Sequence, residues 1–203
     1  MKKLFVLSFL VVLFKITTVV GQAVELRPIA LYTFQESFPI SAGEAIIREG
    51  STFGAELGLV LNEMIDVNFT YLFMKTDMDI RTGFGLPTIP GSGVNIANYQ
   101  LGFNHQRVVG AKDNIKPYAG IKIGVLNAAY DNPTWESSTK MSVGFNLGTK
   151  IMFTEKVGIN LMALLQSPVS GFGLGIGTGG ASVGTYSYVF QFSLGGGLVF
   201  KLK

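Results

Sequence analysis

Apolar and polar side chains alternate with a period of two along most of the chain, in stretches separated by turn-forming clusters. A strand sends successive side chains to opposite faces, so this period predicts strands, and no segment carries a persuasive helical period. Eight strands are predicted, at 24–35, 51–61, 64–75, 96–108, 117–129, 139–153, 157–166 and 186–200. In the last, Phe190, Phe192, Leu194, Leu198, Phe200 and Leu202 share one side, and Gln191, Ser193, Gly195, Gly197 and Lys201 share the other. In the first, Leu26, Pro28, Ala30, Tyr32 and Phe34 oppose Glu25, Arg27 and Thr33. Proline cannot donate to a ladder, so a bulge or a missing bond is expected at Pro28.

The connections alternate in length. Long ones are expected at 36–50, 76–95, 130–138 and 167–185, and short turns at 62–63, 110–116 and 154–156. An even number of strands with every long connection at one end is the arrangement of a transmembrane barrel. A soluble eight-stranded barrel, or an antiparallel sandwich, would bury the apolar parity and expose the polar one. Here the polar parity carries Arg27, Glu56, Asp66, Lys122 and Lys150 beside Asn68, Gln100, Asn146, Asn160, Gln191 and Ser193, diluted by glycine. Eight strands enclose a lumen only wide enough for side chains to fill. The large apolar set must then face outward, and only lipid tolerates that much apolar area. Strand length suits a tilted crossing of the bilayer, and closure satisfies every backbone donor and acceptor. Tyr32, Phe34, Phe73, Tyr99, Phe153, Tyr188 and Phe200 lie near strand ends, where interface girdles belong. The expected fold is all-β: a monomeric, eight-stranded, antiparallel up-and-down transmembrane β-barrel, apolar outside and polar inside.

Composition agrees. Only 14% of the 203 residues are charged, against about 25% in an ordinary soluble domain. The absence of cysteine excludes disulfides, thiol catalysis, cysteine zinc sites and lipoprotein acylation. Lys2 and Lys3 precede an apolar run from Leu4 to Phe14, and Val19-Val-Gly21 offers a cleavage site. Residues 1–21 therefore read as a cleaved signal peptide and 22–203 as the barrel domain. Lys15 leaves the apolar run short of the roughly 20 residues a spanning helix needs. Taking Lys2, Lys3 and Lys15 from the 16 basic residues leaves 13, equal to the 13 acidic ones, so the net positive charge belongs to the leader and points to no nucleic acid.

Glu25-Leu-Arg-Pro28 and Gly54-Ala-Glu-Leu-Gly58 resemble segments of Bacteroidota barrel proteins, and the whole mature chain is similar to the small outer-membrane β-barrel family, of the OmpX type and the OmpA membrane domain. The closing strand resembles the sorting signal read by the barrel-assembly machinery: Ser193, Gly195, Leu198 and Phe200 match its polar, glycine and two apolar positions in order. Where the commonest form stops on the aromatic, this chain runs on through Leu202 and Lys203. The resemblance implies residence in the outer membrane with both termini periplasmic. It implies contact with outer-membrane lipid, lipopolysaccharide and the assembly machinery; with no domain after Lys203, the peptidoglycan-binding half of OmpA is expected to be absent.

Among residues that carry chemistry, His105 is the only histidine, and its parity points it outward beside Arg107, where headgroups are expected. Lipid A deacylases share this barrel size, and that resemblance implies an outward His–Ser pair on neighbouring strands. Gly175-x-Gly177-x-x-Gly180 fits a dinucleotide fingerprint only formally, since that motif requires a βαβ unit. Asp77, Asp79 and Asp131 read as solvated loop charges. No catalytic residue, metal or cofactor is expected. The inward charges are the informative set: an unpaired buried charge is costly, so Arg27, Lys122 and Lys150 are expected to pair with Glu56 and Asp66 in a polar plug that blocks solutes. The expected role is structural or interactive, through the four outer connections. The alternatives are a lipid A-modifying enzyme built on His105 and a narrow gated pore.

Overall fold

The computed structural model describes residues 23–40, 43–82, 89–110, 114–132, 137–169, 176–177, 180–181 and 190–202. The leader, Tyr188 and most of the last long connection lie outside the described residues. Strands in chain order are β1 (Ala23–Thr33), β2 (Glu36–Ile40), β3 (Gly43–Ile47), β4 (Gly50–Val60), β5 (Ile65–Thr82), β6 (Ile89–Gln106), β7 (Ile115–Tyr130), β8 (Ser138–Met152), β9 (Val157–Val169), β10 (Ile176–Gly177), β11 (Gly180–Ala181) and β12 (Gln191–Lys201). Eight of them, β1, β4, β5, β6, β7, β8, β9 and β12, pair in that order, all antiparallel, and β12 returns to β1. The ring is closed, which removes sheet edges from the hydrocarbon.

Closure follows from the sequence at two kinds of place. The short turns are held by side chains that imitate backbone: Asn62 Oδ1 accepts from the Met64 and Ile65 amides (2.9 and 2.8 Å), and Thr154 Oγ1 from those of Lys156 and Val157 (3.2 and 3.0 Å). The closing seam keeps a single register from Glu25↔Lys201 to Thr33↔Ser193, but its ladder is interrupted between Leu26↔Phe200 and Ile29↔Gly197. That gap falls at Arg27 and Pro28, where the proline has no N–H to give the ladder. On the other side Pro28 still faces Ala55 of β4.

Side chains divide by parity as predicted. Ile121, Leu101 and Phe53 are 64%, 60% and 60% exposed on the outer face, while Arg27, Lys150 and Asn146 are buried in the lumen.

Two expectations are corrected. The stretches 36–50 and 76–95 are largely strand rather than loop: β2 and β3 form a hairpin that pairs onto the upper part of β5, and β5 and β6 continue past the predicted ends. Turn-forming residues mislead here because the ladder absorbs them. Pro90 and Gly91 fall where the β5–β6 register shifts between Met78 and Ile80, and a bulge tolerates a residue that cannot donate.

The lumen is also not uniformly polar. Moving away from the short-turn end, charged groups give way to an apolar layer of Ile29, Leu31, Leu72, Met162 and Leu164. Beyond it lies a hydroxyl belt, in which Thr33 Oγ1 meets Thr52 Oγ1 at 2.7 Å and Ser193 Oγ at 2.8 Å. A second apolar group follows, Met74, Val94 and Ile96, with Ile47, Met78, Leu126 and Tyr130 packed against it. A narrow lumen is packed like any protein interior, and apolar side chains fill it without needing partners.

Candidate functional site

The charged layer gathers six side chains from five strands: Glu25 and Arg27 on β1, Glu56 on β4, Asp66 on β5, Lys122 on β7 and Lys150 on β8. All are at most 3% exposed. Arg27 is its hub. Its Nη1 is ion-paired with Glu56 Oε1, its Nη2 donates to Glu25 Oε2 and Asp66 Oδ2, both at 2.6 Å, and its Nε donates to Glu25 Oε2 at 2.9 Å. Lys122 Nζ donates to Glu56 Oε2 at 2.5 Å, and lies 2.7 Å from both Asn68 Oδ1 and Thr70 Oγ1. Lys150 Nζ donates to Glu25 Oε2 and Asp66 Oδ2, each at 3.0 Å. Its ammonium also stands over the Tyr118 ring, 5.9 Å from the centroid, while the Tyr118 hydroxyl donates to Asn160 Oδ1 at 2.8 Å.

Strand register builds this layer. Arg27 lies directly across from Glu56, and Glu56 from Thr70. The guanidinium reaches across because Gly58 carries no side chain: a Cβ there would collide with Arg27 Nη2 and Cζ. Gly102, between Asn68 and Lys122 in the ladder, similarly leaves room for the Asn68 amide. Three acids balance three bases, and each carboxylate accepts more than one donor. This is the condition under which buried charges offset their desolvation.

The five residues expected to form a plug, Arg27, Glu56, Asp66, Lys122 and Lys150, are thus brought into one cluster. Glu25 completes it and was missing from the expected set. Two signals could have found it: it shares the inward parity of Arg27 two residues away, and without it three bases would face only two acids.

Other predicted positions lie elsewhere. Ser193 points into the lumen against Thr33, Leu198 faces outward, and Gly195 and Phe200 stand opposite Leu31 and Leu26 across the seam. His105 is exposed on the outer face near the end of β6, and its cross-strand neighbours are Ile65 and Ala119, so neither flanking position supplies a serine. Among the described residues no group of three or more His, Cys, Asp or Glu could hold a metal ion. Asp79 pairs with Arg48 at 2.6 Å, a hydrogen bond that holds the exposed guanidinium above its ordinary pKa. Asp131 lies 3.8 Å from Lys75 and accepts from Asn95 at 3.2 Å. Gly177 and Gly180 pair with each other across β10 and β11, a hairpin with no helix, and Gly175 lies outside the described residues.

No protein-family model matches the chain, and no curated protein matches it in sequence. Solved structures do. The outer membrane protein OprG from Pseudomonas aeruginosa superposes with a TM-score of 0.67 at 10% identity, over 90% of this chain and 96% of that one. Neisserial surface protein A matches with a TM-score of 0.56 at 15% identity, over 90% and 99%. The outer membrane protein AlkL, determined in lipid bilayers, matches with a TM-score of 0.56 at 12% identity, over 90% and 91%. The chain has the fold of the small outer-membrane β-barrels, as its strand pattern implied.

Proposed function

We propose that the protein is an integral outer-membrane barrel with a closed lumen, acting as a membrane scaffold whose contacts are made at its outer surface. The observation that carries this reading is the six-membered ionic cluster, stacked under the apolar layer of Leu72 and Leu164. A solute crossing the lumen would have to break multiply bonded ion pairs and then displace packed hydrocarbon. In this reading the short turns and both ends of the barrel face the periplasm. The hairpin of β2 and β3 and the long arms of β5 and β6 stand on the outer side, among lipopolysaccharide, presenting a sheet where loops were expected. Ser193, Gly195, Leu198 and Phe200 serve as the signal for the barrel-assembly machinery. The barrel is a monomer in outer-membrane lipid and needs no cofactor. His105 sits among headgroups without a catalytic part, and lipid A of unchanged mass after deletion of the protein is the expected result.

Planar-bilayer recording tests the closed lumen. The purified barrel should give no stable conductance, and a steady channel of porin size would overturn the reading. One observation favours a narrow pore instead. Asn98 Oδ1, Gln100 Oε1 and Ser142 Oγ are buried without a protein partner among the described residues, so one wall of the lumen can bond water. Brief openings of small conductance in the same recording would select that second reading.

A further inference from the structure

The short-turn mouth holds a second feature, independent of whether the lumen conducts. A cleft of about 430 Å³ opens there, lined by Lys116, Lys201, Asn114, Thr154, Glu25 and Glu155, with Met152 and Phe153 on its apolar side. Lys116 has the inward parity of Lys122, and Lys201 that of Ser193. The ammonium groups of Lys116 and Lys201 have no ion-pair or hydrogen-bond partner among the described residues. This contrasts with Arg27, Lys122 and Lys150 deeper in the lumen, each of which is saturated with carboxylates or amides. Glu25 does not neutralise the pair, because its Oε2 already accepts from Arg27 and Lys150. The remaining acid of the lining, Glu155, is exposed on the turn, next to a further base, Lys156.

We infer that this cleft binds a phosphate group. Two unpaired ammonium ions converge on one partly enclosed space, where charge is screened less than on an open surface. An ammonium is a compact point charge with three donors, which suits the multiply charged phosphate with its several acceptor oxygens, and both bases lining the cleft are lysines. Neutral donors complete the set. The Thr154 oxygen accepts from two backbone amides, which leaves its proton free to donate, and the Asn114 amide reaches only the Met152 carbonyl, at 3.5 Å. Phe153, 64% exposed at the rim, gives the apolar part of a phosphate ester somewhere to lie. A soluble phosphate and the headgroup of a phospholipid share this chemistry.

The test uses the barrel refolded in octyl glucoside micelles, which contain no phosphate. Amide shifts at 114–116, 152–156 and 200–202 are followed during titration with inorganic phosphate and, separately, with short-chain phosphatidylglycerol added to the micelle. A saturable shift is expected with at least one probe. Saturation by inorganic phosphate identifies a soluble ligand, and saturation by the lipid alone identifies a headgroup site. The double variant Lys116→Gln, Lys201→Gln should bind at least tenfold more weakly while keeping its heat-modifiable migration, and Glu155→Gln should bind more tightly. If the double variant does not fold, each single lysine variant should still weaken binding several-fold. The inference is overturned if neither probe saturates, if the lysine variants titrate like the unaltered barrel, or if chloride at equal ionic strength gives the same shifts.

Discussion

Arg27 and Glu56 face each other directly across the β1–β4 ladder, and their ion pair joins the two strands inside the lumen. Both also bind third parties: Arg27 holds Glu25 and Asp66, and Glu56 holds Lys122 and Thr70. The pair is therefore the bond through which two smaller groups, one around each residue, become a single cluster.

Replacing Arg27 by methionine would leave three carboxylates facing two lysines in the buried lumen. Removing one partner of a buried pair costs about 3–5 kcal/mol. The urea midpoint of the refolded Arg27→Met barrel, read from its heat-modifiable migration, should fall accordingly. An unchanged midpoint would mean that Glu25 and Asp66 are held well enough by Lys150 alone.

Lys122 and Glu56 should be energetically coupled. Lys122→Met and Glu56→Gln each remove one end of the same contact, so the double variant should be more stable than the sum of the single losses implies, by about 0.5–3 kcal/mol. Strict additivity in the urea midpoints would show that the 2.5 Å contact carries no energy of its own.

The apolar layer should matter as much as the charges. Leu164 is fully buried in the lumen, and Leu164→Ala should cost about 2–5 kcal/mol through lost burial and an unfilled cavity. A far smaller cost would indicate that Met162 and Leu72 collapse into the gap.

The outer face gives the opposite sign from a water-soluble protein. Ile121 is 64% exposed in the middle of β7. In a bilayer Ile121→Arg should destabilise by about 2–4 kcal/mol if it lies near the midplane. In water the same change would be neutral or helpful. Folding titrations in vesicles measure it directly, and a neutral result would contradict a lipid-facing surface.

Phe200 separates assembly from stability. It sits at the end of β12, opposite Leu26 and Val157, where a charge near the interface costs only about 0–1 kcal/mol. Phe200→Asp should therefore refold almost normally in vitro, yet reach the envelope of cells at much lower levels than a barrel shortened in the 130–138 connection. Equal cellular levels of heat-modifiable barrel would refute the role of Phe200 in the assembly signal.

Parity made most of this fold legible, because the face a strand residue occupies is a strictly local property. All the barrel strands, the outward set from Leu26 to Leu202 and the inward charges could be read that way. What parity does not encode is height and neighbour. Ile29, Leu31, Met162 and Leu164 are inward, but an apolar residue beside an apolar face leaves no contrast to notice. Lys150 meets Glu25 across 125 positions of sequence, a meeting fixed by the tilt of the strands and the register summed around the ring. The arms of β5 and β6 were hidden for another reason. Glycine, proline and aspartate mark turns in isolated sequence, and only the β3 ladder and a bulge reveal that they can be strand here.

The hydroxyl contact between Thr33 and Ser193 ties positions 160 residues apart. Neighbouring strands in the rest of the ring can zip as hairpins as soon as they are made, but the first strand stays without its second neighbour until the last one arrives. Non-local pairing slows folding, since the chain must be ordered over a long loop before the contact rewards it. Completion of this barrel is accordingly timed by its final strand. A circular permutant that joins the two ends and reopens the chain at the Asn62 turn should keep the same ring while moving the slow step to the pairing of β4 with β5.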